Sequence, residues 1–267
     1  MQKITSRDNQ KIKLARHVRD GKTKDLIFIE GARLAEEALR SHLNVSDIFY
    51  TESFASSERG KDFLSAAGKF NQTEVSAGVF ESLSDTKNSQ GVALISAKPA
   101  NGQKVVEASL QKKTRRSPLV VLLHQINNPA NLGAILRTAE AGGAAGVVLT
   151  ENSADVFSAK ALRGAMGASF RLPIWTNAAF FDVLDWAKSV NLISICADVN
   201  ATNSYSEIDW NQPRLLIFGS EAHGLTVEER KKIDQSLIIP MENDVESLNL
   251  AVACGIILFE AKRQRNV

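Results

Sequence analysis

Three short stretches of this chain concentrate side chains able to bind and orient a polar molecule. They are HQINNPANLGAILRTAEAGG from His124 to Gly143, IFGSEAHGL from Ile217 to Leu225, and IPMENDVESLN from Ile239 to Asn249. The last is the densest. Glu242, Asn243, Asp244, Glu246, Ser247 and Asn249 crowd the mouth of the most apolar run of the protein, Leu248 to Phe259. Amides, carboxylates and a hydroxyl in such a place can serve a buried polar ligand, because hydrogen-bonding groups withdrawn from water need partners. Each stretch also has a purely local reading. Asn127, Asn128 and Asn131 fit turn positions and a helix cap, FGSEAHG fits a glycine-bracketed turn, and Ser247 fits the cap of the last helix. Metal chemistry is not indicated, since four scattered histidines and two cysteines give no ligand spacing. No phosphate loop ending in Gly-Lys-Ser/Thr occurs, and GGAAG is a poor dinucleotide fingerprint.

The elements that must hold these stretches follow from hydrophobic periodicity. PLVVLLHQI is a continuous apolar run bounded by turn formers, as expected of a strand covered on both faces. After it come helical GAILRTAEAGG, strand GVVLT, helical SAKALRGAMGAS, short strand LPIW and helical FFDVLDWAKSV. Strands LISICAD and RLLIFGS, helical TVEERKKI, strand SLIIPM and a closing helix SLNLAVACGIILFEAKRQ complete the series. Such alternation predicts an α/β fold with a doubly wound, mostly parallel sheet. Ligands of such sheets bind at the carboxyl ends of the strands, where the three polar stretches fall.

Residues 1–97 form a separate α/β pattern. A helix carries Ile12, Leu14, Ala15 and Val18 and ends at Gly21. Strand DLIFIEG, helix ARLAEEALRSH, strand VSDIFYT, helix GKDFLSAAGKF, strand and short helix TEVSAGVFESLSD, and strand GVALISAKP follow. PANGQKVVEASLQKKTRRS is polar and basic and reads as a linker. The expected organisation is therefore a first domain at 1–97, a basic linker at 98–117 and a second domain at 118–267.

At 267 residues the chain suits one large domain or two ordinary ones. No run of about 18 apolar residues occurs, so no membrane span is expected. The opening MQKITSRDNQKIKLARHVRDGK has no apolar core, which points to the cytoplasm rather than secretion. Cys196 and Cys254, both within apolar runs, are expected as buried free thiols. The net charge of +2 hides an uneven distribution. Residues 1–24 hold eight Lys or Arg against two Asp, and Lys98 to Ser117 hold six against one Glu. Such runs suit phosphate backbones, or are ordinary solvated surface.

Taken in order and with their spacing, the three polar stretches resemble the signature of the SpoU/TrmH family of SPOUT methyltransferases, over Pro118 to about Arg263. Residues 1–97, with FIEGARLAEEAL, resemble the substrate-binding domain that often precedes it, with a fold like that of the kink-turn-binding ribosomal proteins. The resemblance implies a deep trefoil knot in the C-terminal domain, a homodimer, and methyl transfer from S-adenosylmethionine to a ribose 2′-hydroxyl of RNA. By motif position it implies catalytic roles for Asn131, Arg137, Glu221, Ser247 and Asn249. It places Gly219, Glu221, Gly224, Ile239, Met241, Leu248 and Asn249 against the cofactor, several through backbone atoms. Lys160 and Arg163, with Arg33 in the first domain, become candidates for RNA phosphates.

The family's proposed base is the motif-one arginine. A guanidinium, with a pKa above about 12, is better suited to orienting the 2′-hydroxyl and neighbouring phosphate and to stabilising a developing alkoxide. Asn131 would hold the hydroxyl or that arginine, and Ser247 could complete the hydrogen-bond chain. The preceding domain favours ribosomal RNA, the 23S molecule in particular. A tRNA 2′-O-methyltransferase and a non-catalytic RNA-binding assembly factor are the alternatives.

Overall fold

A computed structural model describes residues 3–111, 117–243 and 245–265. In chain order the first elements are α1 (Gln10–Arg19), β1 (Leu26–Glu30), α2 (Ala32–Arg40), β2 (Val45–Thr51), α3 (Glu52–Ser56), α4 (Glu58–Ala66), β3 (Asn71–Val75), α5 (Ala77–Leu83) and β4 (Val92–Ala97). Then come α6 (Gln103–Leu110), β5 (Leu119–Leu123), α7 (Pro129–Ala141), β6 (Gly146–Thr150), α8 (Ala159–Ala165), α9 (Ala168–Arg171) and β7 (Ile174–Ala178). The chain closes with α10 (Phe180–Ser189), β8 (Ile193–Ala197), β9 (Arg214–Phe218), α11 (Val227–Lys231), β10 (Gln235–Leu237) and α12 (Leu250–Arg265). Contacts divide these into two units: Met1–Pro99 with Val156–Arg171, and Ala100–Asp155 with Leu172–Val267.

The first unit holds a four-stranded sheet in the order β1-β4-β2-β3. β4 pairs antiparallel with β1 and β2, and β2 pairs parallel with β3. Its core joins Ile12, Ala15 and Val18 of α1 to Phe28, Phe49, Val79 and Phe80. Leu14, expected on that stripe, is 43% exposed, because the buried face repeats every three residues and leaves it on the outside. The basic run of α1 and its flanks is mostly paired: Lys3 with Glu52 and Glu74, Lys11 with Asp47, Lys13 with Asp8, and Arg19 with Asp20. It is largely a self-neutralised surface.

The stretch SAKALRGAMGAS, expected as one helix, breaks into α8 and α9. Met166 turns left-handed at φ 49°, and Gly167 follows at φ 92°. A Cβ on Gly167 would come within 2.9 Å of side-chain atoms of Glu37 and Arg171, so the chain can make this corner only there with glycine. Arg163 pairs with Asp85 at 2.9 Å and Arg171 with Glu37 at 2.7 Å, which ties 156–171 to the first unit rather than to the sequence around it.

The second unit holds six parallel strands in the order β10-β8-β9-β5-β6-β7. Every residue of β5, β6 and β9 is buried, as an all-parallel sheet covered on both faces requires. The segment 98–117, expected as a linker, contains α6. Its Val106 is fully buried in the core of this unit and its Leu110 packs on that core, so two apolar residues one turn apart outweigh the basic composition around them. Lys112, Lys113, Arg115 and Arg116 lie outside the described residues. α12 packs against α7: Lys262 Nζ donates to Ala141 O at 2.9 Å, and Gly142 lies beside the Leu258 Cβ. Cys196 and Cys254 are buried free thiols. Burial pushes the Cys196 thiol up to about 11, which leaves it unreactive near neutrality.

Candidate active site

The central strands β5, β9 and β8 end side by side, and each passes into a polar segment: His124–Asn128, Gly219–Gly224 and Asp198–Val199. After β5 the chain turns through Gln125, at φ 53°, and reaches Asn128, whose side chain accepts from Ala130 N and caps α7, with Pro129 in the first turn. Asn131 therefore stands in the first turn of α7.

After β9 the loop 219–224 closes on itself. Ser220 and Gly224 exchange backbone bonds at 3.1 and 2.9 Å. A Cβ on Gly219 would lie 2.5 Å from the Gly224 carbonyl carbon, so this crossing of backbones requires glycine. Gly224 at φ 64° completes the turn. The glycine bracket is thus a tight turn, and it also presents Glu221 outward.

Glu221 joins the segments. One carboxylate oxygen accepts from Asn128 N at 3.1 Å, and the other accepts from Asn131 Nδ2. The Asn131 carbonyl in turn accepts from Asn249 Nδ2 at 3.2 Å, and Asn249 Oδ1 accepts from Ala251 N at 2.9 Å, capping α12. The chain of bonds runs in one direction from Asn249 through Asn131 to Glu221. With each carbonyl spent as an acceptor, Asn131 and Asn249 each retain a second side-chain N–H to offer.

Behind this network lies a cavity of about 370 Å³. Gly219, Glu221, Gly224, Ile239, Met241, Ser247, Leu248, Asn249 and Asn131 all line it. Phe218, Leu237 and Ile238 form apolar wall, and Asp198 is a second acid at the rim. Asp198 Oδ2 accepts from Arg230 Nη1 at 2.7 Å. Ser247, read as a possible cap, is exposed, and the cap of α12 is Asn249 instead. Asp244 lies outside the described residues.

Arg137 stands apart. It is exposed on α7 and is not among the residues lining the cavity. Six residues separate it from Asn131, about one and two-thirds turns of helix, which carries it round the helix from the face that bears the amide. Arg33 is exposed at the second position of α2 and Lys160 is exposed at the start of α8, while Arg163 is held by Asp85.

Four residues that matter to this site have weaker sequence signals. Asn128 acts through its backbone. Asp198 ends an ordinary strand pattern. Glu229 is the third residue after Thr226, a spacing that announces a capping box, and the box is present. His124 looks like the end of an apolar run, yet it is buried and bonded to Glu229 and Thr150.

The family model for the SpoU rRNA Methylase family matches residues 118–259, and that for the MRM3-like substrate binding domain matches residues 9–94. The 23S rRNA (guanosine(2553)-2′-O)-methyltransferase RlmP of Bacillus subtilis is 30% identical over 267 residues, covering 98% of this chain and all of its own length. The AdoMet-bound rRNA methyltransferase of Sinorhizobium meliloti superposes with a TM-score of 0.82 at 27% identity, over 98% of this chain and 97% of that one. The SpoU methyltransferase AviRb of Streptomyces viridochromogenes, in complex with AdoMet, gives 0.84 at 25% identity, over 97% and 98%.

Proposed function

Since the chain belongs to the SpoU rRNA methylase family, we propose that the network at the cavity mouth directs a methyl group from S-adenosylmethionine to a ribose 2′-hydroxyl of 23S ribosomal RNA. The protein is an S-adenosylmethionine-dependent RNA methyltransferase. The observation that carries the reading is the bond chain Asn249–Asn131–Glu221–Asn128, which draws the three separated polar stretches to one cavity.

The residues present fit the cofactor. The cavity volume lies within the range of about 300–1,000 Å³ usual for small-molecule sites. Apolar wall at Phe218, Leu237 and Leu248 suits a purine face, and the bare Gly219 backbone lets a ligand approach closely. When bound, S-adenosylmethionine supplies a methyl carbon activated on a sulfonium. The protein's part is to exclude water, hold the hydroxyl in line and steady the charge that grows on its oxygen. Alignment of this kind is worth about 7–11 kcal/mol. Asn131 offers its remaining N–H to the hydroxyl, and Asn249 and Ser247 stand beside it. Glu221 has both oxygens engaged and acts by fixing Asn131. Arg137 orients the 2′-hydroxyl and its phosphate and stabilises the alkoxide.

A homodimer belongs to this reading. α12 exposes Val252 at 52% and Phe259 at 50%, and Arg137 on the packed α7 stays outside its own cavity. A two-fold interface here would cover the apolar residues and offer Arg137 to the partner's cavity. The knotted threading of the C-terminal segment, phosphate contacts by Arg33, Lys160 and Arg163, and a cytoplasmic location are further parts of it. Among the described residues, no helix is long and apolar enough to cross a membrane, and no cluster of side chains could hold a metal.

Transfer of labelled methyl from S-adenosylmethionine to 23S rRNA, with the modified ribose mapped, tests the reading. Arg137→Ala is expected to lower turnover by about 10²–10³-fold while the protein stays folded and binds cofactor. Wild-type turnover by that variant removes Arg137 from the mechanism. A solution mass near 29.1 kDa, rather than twice that, removes the dimer.

A further inference from the structure

The buried His124 has no part in the mechanism above, yet it contacts residues on both flanks of the loop that lines the cavity. Its backbone N donates to Phe218 O at 2.9 Å, and Phe218 is the last residue before Gly219. Its Nε2 lies 3.1 Å from Glu229 Oε1 on α11, the helix that follows the loop. Glu229 Oε2 accepts from Thr226 N at 2.7 Å, so the carboxylate holds both the helix start and the imidazole. On the other side, His124 Nδ1 lies 3.1 Å from Thr150 Oγ1, and that same oxygen accepts from Gln125 N at 3.0 Å, steadying the left-handed turn after β5. The Phe180 ring meets the imidazole edge-on at a centroid distance of 4.7 Å.

The proton positions follow from these partners. A carboxylate only accepts, so Nε2 carries the hydrogen, and Nδ1 accepts from the Thr150 hydroxyl. Burial holds the imidazole below its usual range, with the Glu229 charge partly offsetting this, so the ring is neutral near pH 7. The bonds close a circuit. It runs along the chain from His124 to Asn128, across to Glu221, along the chain to Glu229, and back to His124. The neighbouring Arg230 pins α11 to Asp198 at the end of β8, another wall of the same cavity.

We propose that His124 is a positioning residue for methyl transfer. Its backbone holds Phe218 before the Gly219–Leu225 loop whatever the side chain, and its imidazole, by bridging Glu229 after the loop to Thr150 beside the turn at Gln125, sets the distance between the cofactor-lining loop and the turn that delivers Asn128 and Asn131. The proposal rests on the function inferred above. It predicts that loss of the imidazole weakens cofactor binding first and RNA binding little.

Calorimetry with S-adenosylmethionine and steady-state kinetics on the full-length protein test it. His124→Ala is expected to raise the cofactor Kd and KM about tenfold, with the KM for RNA within about twofold of wild type. His124→Gln, whose amide can still donate toward Glu229, is expected to recover most of that loss. The proposal is overturned by a folded His124→Ala protein with wild-type cofactor Kd, by an equal rise in both KM values, or by a His124→Gln protein as weak as the alanine variant. Should the alanine variant not fold, nitrogen-15 NMR of the wild-type imidazole decides. Protonation on Nε2 with a bare Nδ1 supports the circuit, and the opposite tautomer overturns it. If wild-type protein neither binds S-adenosylmethionine nor methylates RNA, the functional reading itself fails, a result distinct from any of these.

Discussion

Glu30 and Glu221 do the same thing in opposite surroundings. Each ends or follows a strand, and each uses both carboxylate oxygens to hold a segment far away in sequence. Glu30, 5% exposed, accepts from the Ser84 hydroxyl, from Thr86 Oγ1 at 2.9 Å and from Asp85 N at 2.8 Å. Glu221 is exposed at a cavity mouth and accepts from Asn128 N and Asn131 Nδ2. The difference is what lies next to each. Glu30 is itself buried, although its partners Ser84 and Thr86 line a cavity of the first unit. Beside the exposed Glu221, Asn131 lines a cavity and keeps a second side-chain N–H to offer. Removal of a buried acceptor strands its donors away from water, so the loss appears in stability. Water can replace an exposed acceptor at little cost, so the loss appears in the geometry of whatever the acceptor positioned.

Two substitutions can break this contrast. Glu221→Ala is expected to lower kcat by about 10²-fold, the scale on which a misplacement of about 1 Å acts, with thermal stability little changed. Glu30→Ala is expected to cost about 2 kcal/mol of stability in denaturant titration while leaving the affinity for S-adenosylmethionine at the wild-type level. If Glu30→Ala proves as damaging to cofactor binding as to folding, or Glu221→Ala unfolds the protein without a kinetic defect, burial is the wrong axis on which to separate the two.

The contrast also explains what is legible in the sequence. Asn131, Glu221 and Asn249 stand out because each interrupts an apolar pattern where a strand ends or a helix starts. The structure brings all three together. Glu30 hides as the last residue of DLIFIEG, and His124 hides at the end of PLVVLLHQI, since one polar residue closing a strand is ordinary. Their importance lies in partners 54 and 105 residues away, at Ser84 and Glu229, which no local pattern can supply. Local composition likewise conceals α6, because Val106 and Leu110 are two residues in a basic stretch, and packing rather than patterning makes them a helix face. The parallel sheet is the most legible feature, since a strand buried on both faces must be apolar throughout.

Asn249 sits between the two extremes, because one amide does both jobs. Its carbonyl caps α12 and one of its N–H groups serves Asn131. Asn249→Ala is expected to lose about 1 kcal/mol of stability through the cap and to lower activity as well. Asn249→Asp separates the jobs: the carboxylate still caps, so stability returns, but it cannot donate to Asn131, so activity does not. Full activity in Asn249→Asp breaks the proposed bond chain at its first link.

The smallest effect concerns acid, and it acts on the second unit through His124. Burial holds the folded-state pKa of His124 below the ordinary 6.5, with Glu229 working in the other direction. The unfolded chain then takes up this proton first as pH falls. Below about 6.5 the unfolded state binds more protons than the folded state, so stability falls with falling pH; above it, this residue contributes no slope. Each proton so linked changes stability by at most about 1.4 kcal/mol per pH unit. Carboxylates held low, such as Asp198 and Glu36, lose their contribution only in a more acid window, below the ordinary carboxylate range. The interval just under 6.5 therefore isolates His124 when wild type is compared with His124→Gln. Protection factors at β5 and β9 amides, with the intrinsic pH dependence of exchange divided out, are expected to fall between about pH 7.5 and about pH 5.5 more in the wild type than in the variant. Identical pH dependence in the two proteins means that the imidazole is not held neutral in the fold, and the circuit through Glu229 then rests on geometry alone.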